Sequence, residues 1–119
     1  MADKPTTYYE RELNRINEEN LSREHHYVQV RQSKAFMERY YSKKIELDKI
    51  AAAAFMSRSH YIRVFQQVYG ITPRQYLRDL RIQKAKELLK KGVPITQVCF
   101  DVGYESFPTF SNTFKRGTG

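Results

Sequence analysis

Residues 72–92, TPRQYLRDLRIQKAKELLKKG, decide how the rest of the chain is arranged. They predict one long helix with both ends marked. Thr72 serves as N-cap, Pro73 takes the first helical position, and Gln75, three residues after Thr72, completes a capping box. Lys90 and Lys91 suit the negative C-terminal end of the helix dipole, and Gly92 followed by Pro94 ends it. Leu77, Leu80, Ala85 and Leu88 fall near one stripe, with arginine and lysine on most of the remaining surface.

The segments on either side of this helix resemble each other. Leu47, Ile50, Ala51 and Ala54 match Ile95, Val98, Cys99 and Val102 at an offset of 48. After a one-residue slip in the turn, Tyr61, Phe65 and Gly70 match Phe110, Phe114 and Gly119 at an offset of 49. This is an internal repeat. Each copy predicts a short helix, a tight turn and a second helix opened by Ser57 or Ser106 as N-cap. That is a helix-turn-helix unit, present twice and joined by one helix. The fold class expected is all-α: two helix-turn-helix lobes on a long central helix, with a short N-terminal arm.

Charge follows the same division. Residues 1–32 hold five Lys/Arg against six Asp/Glu, whereas residues 33–119 hold sixteen against seven. The excess behind the net charge of +8 thus belongs to the repeat-containing part, which points to a polyanionic partner. A single cysteine excludes an intramolecular disulfide and fits a reducing, cytoplasmic setting. The polar start MADKPTT carries no signal peptide, and the longest apolar run, residues 50–56, is too short to span a bilayer.

The arm, residues 1–32, is expected to be partly helical and partly disordered, a packing or dimerisation extension. Residues 1–7 read as disordered. Residues 8–19 form a weak amphipathic helix on Tyr9, Leu13 and Ile16, residues 20–23 are a break, and 24–32 read as helix. His25 and His26, about 100° apart on such a helix, diverge as ligands and read as a solvated pair, so no metal site is expected. Residues 34–43 present Phe36, Met37, Tyr40 and Tyr41 as one wide packing face.

In the first unit, Leu47, Ile50 and Ala54 should face inward, and Ala51 should sit where the second helix crosses closely. Phe55 occupies the turn position held by Gly103 in the second copy. Positive φ is free for glycine but costs phenylalanine roughly 1–2 kcal/mol, so either the turn differs or burial of the ring offsets the strain. In the following helix Tyr61, Phe65 and Val68 should pack inward. The outer face then carries Ser59, Ile62, Arg63 and Gln66, a set of donors, acceptors and one methyl-rich contact suited to base edges. Arg58 and His60 flank that face at the helix start, His60 as a phosphate donor or a packing histidine. In the second unit Ile95, Val98 and Val102 should face inward with Cys99, a buried inert thiol, in the small-residue place. Phe110 and Phe114 pack inward. Phe107, Pro108, Ser111 and Asn112 point outward after Ser106, followed by Lys115, a phosphate contact.

With the repeat in view, residues 34–119 resemble the DNA-binding domain of the AraC/XylS family of bacterial transcriptional regulators. The elements that carry the resemblance are Leu47-x-x-Ile50-Ala51, Ser57 with Tyr61-x-x-x-Phe65, Gly70-x-Thr72-Pro73, Ala85-x-x-Leu88-Leu89, and Val102-Gly103-Tyr104 with Phe110-x-x-x-Phe114-Lys115. The resemblance implies promoter double-stranded DNA as partner, RNA polymerase as a further one, nucleoid association, and base reading by the outer faces of both second helices. By position these are Ser59, Ile62 and Arg63, then Phe107, Pro108, Ser111 and Asn112. The family pattern runs on past Gly119 into a proline and a covering helix, so the second lobe is expected to be truncated. About thirty leading residues cannot enclose a pocket of roughly 300 Å³, so no small-molecule effector site is expected within these residues, and no cofactor. No nucleophile–base pair, metal spacing or glycine-rich phosphate loop points to an enzyme. A helical protein–protein adaptor is the alternative use of such a scaffold.

Overall fold

The computed structural model describes residues 7–118, with the side chains of 17–23 and 118 left aside. The described residues form six helices: α1 (Tyr8–Tyr40), α2 (Leu47–Ala53), α3 (Arg58–Tyr69), α4 (Pro73–Lys90), α5 (Ile95–Asp101) and α6 (Phe107–Thr118). The expectation of disorder for residues 1–7 lies outside the described residues save for Thr7, whose Oγ1 accepts the Glu10 N–H at 3.1 Å and caps α1.

The central helix is bounded as its sequence dictates. The Gln75 N–H donates to Thr72 Oγ1 at 3.2 Å and the Thr72 N–H donates to Gln75 Oε1 at 3.0 Å, so both halves of the capping box are made. At the other end Gly92 adopts φ 88°, and the Val93 N–H reaches back to the Leu88 carbonyl at 3.2 Å. The stripe is displaced from expectation. Leu77 and Ala85 are buried, joined by Pro73 and Ile82, whereas Leu80 and Leu88 are half-buried. The linker is gripped by a different lobe at each end, so its contact line drifts around the helix.

Two cores result. The first gathers Val30 and Met37 of α1, Ala51 and Ala54, Met56, then Tyr61, Val64 and Phe65 of α3, and Leu77 of α4. The second gathers Ala85, Val98, Cys99, Val102 and Phe110, flanked by Leu88, Phe107 and Phe114. Tyr41 packs against both. Ala51 and Cys99, equivalent in the repeat, are each almost wholly buried, as close helix crossing requires. Burial pushes the Cys99 thiol pKa up, which keeps it protonated.

Several local expectations are corrected. No break occurs at 20–23: the backbone is one helix from Tyr8 to Tyr40. Within it the wide face of Phe36, Met37, Tyr40 and Tyr41 narrows to Met37 and part of Tyr41, because the stripe that meets the first lobe runs Tyr27, Val30, Met37, Tyr41. Phe36 and Tyr40 are exposed, their rings tilted against each other with centroids 4.8 Å apart. In α3, Val68 is 36% exposed, and Val64 is buried instead. Ile95 is 43% exposed, since it opens α5 beyond the edge of the second core.

Gly103 takes φ 102°, and a Cβ there would stand 2.8 Å from the Tyr41 carbonyl oxygen, so both conformation and space demand glycine. Phe55 keeps the same left-handed turn, with φ 58°, and its ring is 86% exposed. Neither expected escape holds: the turn does not differ, and burial does not offset the strain.

A buried polar chain ties α1 to α3. The Tyr61 hydroxyl donates to Ser33 Oγ at 2.7 Å, and Ser33 Oγ donates to the Val30 carbonyl at 2.6 Å. Burial pushes the Tyr61 pKa up to about 12. Among the described residues no buried side-chain nitrogen or oxygen lacks a partner.

Candidate nucleic-acid interface

The second helix of each unit packs on the first, and in the first unit its own cap fixes its start. In the first unit the Ser57 Oγ accepts the His60 N–H at 3.1 Å and fixes where α3 begins. Tyr61, Val64 and Phe65 turn inward, which leaves the opposite face to solvent. Arg58, Ser59, Arg63 and Gln66 are all exposed there. Arg58 pairs with Asp48 of α2 at 3.5 Å, and Arg63 carries no hydrogen bond or ion pair within the described residues. Between them Ile62 is half-buried and packs against the first core, so only part of its side chain is offered outward.

His60 lies to one side. It is half-buried, and its ring meets the ring of His26 edge-on with centroids 4.8 Å apart. The packing alternative therefore holds for His60, and His26 is not the solvated residue expected of it. Burial first, then the neighbouring His60 and His25, holds the His26 pKa below the ordinary imidazole value. Among the described residues no group of three or more His, Cys, Asp or Glu is arranged to hold a metal.

In the second unit the Phe110 N–H donates to the Ser106 carbonyl at 3.1 Å, so α6 starts at the position equivalent to that in α3. Ser106, Pro108, Asn112 and Lys115 are exposed and Ser111 is half-buried. Phe107 departs from expectation. It is half-buried against the second core, 6.4 Å centroid to centroid from Phe110, because a ring at the first turn folds over its i+3 neighbour. The outward face of α6 is therefore Pro108, Asn112 and Lys115, a turn apart in sequence.

The angle between lobes is held by a residue that periodicity did not single out. Arg81, half-buried on α4, donates from Nε to the Tyr41 carbonyl at 2.9 Å and from Nη2 to the Lys43 carbonyl at 3.1 Å. Its guanidinium also lies 5.7 Å from the centre of the Tyr104 ring. The available signal was its place on the inner stripe, four residues from both Leu77 and Ala85.

A tandem pair of second helices with exposed polar faces, fixed on one helix, is the architecture of a double helix-turn-helix. A family model described as a helix-turn-helix domain matches residues 50–119. The chain belongs to the AraC-type helix-turn-helix family, whose relatives are transcriptional regulators. It is 33% identical over 82 residues to the probable transcriptional regulator LumQ of Photobacterium leiognathi, covering 68% of this chain and 33% of that one. It is 38% identical over 71 residues to the regulator MtrA of Neisseria gonorrhoeae, covering 59% and 24% respectively. The chain thus spans about a third or less of these curated relatives. Among solved structures, the C-terminal domain of AraT, a response regulator from Geobacillus stearothermophilus, superposes with a TM-score of 0.72 at 29% identity, covering 76% of this chain and 77% of that one. The DNA-binding domain of AdpA, a global transcriptional factor in complex with a target DNA, does so with a TM-score of 0.71 at 25% identity, covering 76% and 82%.

Proposed function

We propose that this chain binds double-stranded promoter DNA sequence-specifically as the DNA-binding part of a transcriptional regulator. The observation that carries the reading is the pair of helices α3 and α6 with exposed polar faces, held at the two ends of an 18-residue helix. That helix is about 27 Å long at 1.5 Å per residue. With the half-width of each lobe it brings the two faces near one DNA turn, roughly 34 Å, apart. The repeats are in tandem, so one chain reads a non-palindromic site.

Arg63 is the candidate base reader, with a guanidinium fork suited to guanine O6 and N7. Ser59 and Gln66 flank it. Arg58 and Lys115 are phosphate contacts, and Pro108 and Asn112 make a charge-poor second face that reads shape or thymine methyls. RNA polymerase as a further partner and a place on the nucleoid belong to the same reading. So does the lack of catalytic activity.

The test pairs Arg63→Ala with Lys115→Ala on matched specific and scrambled duplexes. Arg63→Ala is expected to cost about 1–3 kcal/mol on the specific site and to relax preference at one base pair. Lys115→Ala is expected to weaken both duplexes alike and lower the salt slope by about one. Equal losses for Arg63→Ala on both duplexes would remove it as a base reader. Absence of salt-dependent binding by the wild-type chain would favour the protein adaptor instead.

A further inference from the structure

Between the two lobes lies an open cleft whose floor is the linker. It is lined by Arg74, Arg78 and Arg81 of α4, by Arg58 at the start of α3, and by Tyr104 and Thr113 of the second lobe. Its walls are residues 45–48 at the start of α2 together with Arg58 on the first-lobe side, and Tyr104 and Thr113 on the second, so each wall includes one residue of a recognition helix. The arginines occupy an unusual side of their helix. Counting from Arg74, the positions 74, 77, 78, 81, 85 and 88 form one continuous stripe, and Leu77 and Ala85 on it are buried. A linker that served only as a spacer would keep this inward stripe apolar and turn its cations outward. Here arginines stand on it at three positions, Arg74 and Arg78 exposed and Arg81 half-buried.

The carboxylates in and beside the cleft are matched. Glu46 pairs with Lys49 at 3.1 Å, Asp48 with Arg58 at 3.5 Å, and Asp79 with Arg78 at 3.2 Å. Arg81 spends its donors on two backbone carbonyls and is held in place. Arg74 is exposed with no partner among the described residues, and Arg78 is tied only to its own sequence neighbour in an exposed pair. Such a pair is worth little and exchanges readily for a better anion. The cleft therefore keeps a surplus of positive charge, with two guanidinium groups on its floor available for an anion.

We infer that this cleft takes the phosphodiester backbone of the DNA segment lying between the two recognition helices, with Arg74 and Arg78 as its phosphate contacts. The inference rests on the DNA-binding reading above and deepens it. When two helices on one face of a duplex enter successive major-groove segments, a minor groove and its bordering backbones pass between them. In this chain the surface facing that passage is the cleft. The linker is then a third contact element, sequence-independent, that sets the register of the two reading helices on the duplex.

The experiment compares the wild-type chain with Arg74→Gln/Arg78→Gln, and with Arg74→Gln alone, on a random duplex across a salt series. It adds phosphate-ethylation interference on a selected site. Both side chains are exposed, so thermal melting is expected to stay unchanged, and Arg74→Gln, which breaks no contact, remains informative should the double variant melt early. The expected result is a salt slope lower by about two in the double variant and by about one in the single variant. Ethylation of phosphates midway between the two major-groove segments should interfere with wild-type binding but not with the double variant. Unchanged slopes with intact wild-type binding overturn this inference and leave the DNA-binding reading standing. Failure of the wild-type chain to bind any duplex removes both.

Discussion

Arg81 donates from Nε to the main-chain carbonyl of Tyr41 at 2.9 Å, across forty residues of sequence. Because Tyr41 packs against both cores, this bond joins the end of α1, the middle of the linker and, through Gly103 and Tyr104, the second lobe. Arg81→Met is expected to cost about 2 kcal/mol, since hydrogen bonds to a charged donor are worth more than neutral ones and two carbonyls lose their partner. Arg81→Lys should recover little, because a single ammonium lacks the fork that spans both acceptors. Urea denaturation of both variants measures this. A cost near zero for Arg81→Met would show the lobes to be held by packing alone.

The two turn positions of the repeat should respond in opposite directions. Phe55→Gly relieves a strain of roughly 1–2 kcal/mol, loses almost no burial and adds some unfolded-state entropy, so a net gain of about 0.5–1 kcal/mol is expected. Gly103→Ala forces a Cβ against the Tyr41 carbonyl and should destabilise by about 2 kcal/mol or more. A destabilised Phe55→Gly would mean that the ring makes a stabilising contact.

The Tyr61–Ser33 chain is a coupled pair. Ser33→Ala leaves a buried hydroxyl unsatisfied and should cost about 1–3 kcal/mol; Tyr61→Phe should cost about 1 kcal/mol. The double variant should cost less than the sum of the singles, which a double-mutant cycle reads directly. Strict additivity would show that the bond contributes nothing.

Leu77→Ala should cost about 2–5 kcal/mol, as expected of a buried leucine in the first core. Leu80→Ala, at a half-buried position outside both cores, should cost markedly less. Equal costs in chemical denaturation would place Leu80 in a core after all.

Acid should loosen the contact between α1 and α3. The native state holds the His26 pKa below its unfolded value, so below about pH 6.5 the unfolded chain binds more protons than the folded one. Stability is then full above that pH and falls as pH drops through the window beneath it. The groups facing His26 are His60 on α3 and His25 on its own helix, both of which add repulsion when charged. His26→Gln should flatten the decline between pH 6.5 and 5 in thermal melts; an unchanged profile would assign it elsewhere. Glu38 acts lower, below the usual carboxylate pKa, because the Tyr76 hydroxyl and Lys34 hold it ionised.

Features with local causes were legible in the sequence. The capping box at Thr72, the Ser57 cap, the stop at Gly92 and the small residues Ala51 and Cys99 each follow from a side chain acting within a few positions of itself. So does the repeat, because two equal lobes impose equal spacings. The outer face of α3 was legible apart from its edges. His60 and Ile62, one residue to either side of Tyr61, were drawn toward α1 and the first core, and no spacing within α3 announces where α1 lies.

Two helix-turn-helix units on a capped linker, and the basic charge of the body carrying them, follow from the order of residues alone. Those properties are sums over near neighbours, and a chain cannot hide them. Packing across the whole fold was needed to show that α1 runs unbroken and docks through Tyr27 and Val30. It alone decided that Val64, not Val68, is buried, that Phe107 folds inward, and that Phe55 stands strained in solvent. It also decided that Arg81 is a clamp while Arg74 and Arg78 face an open cleft. Three arginines on one helical stripe are chemically alike in sequence. What separates them is whether a carbonyl from forty residues away, an adjacent carboxylate, or solvent comes to stand in front of each.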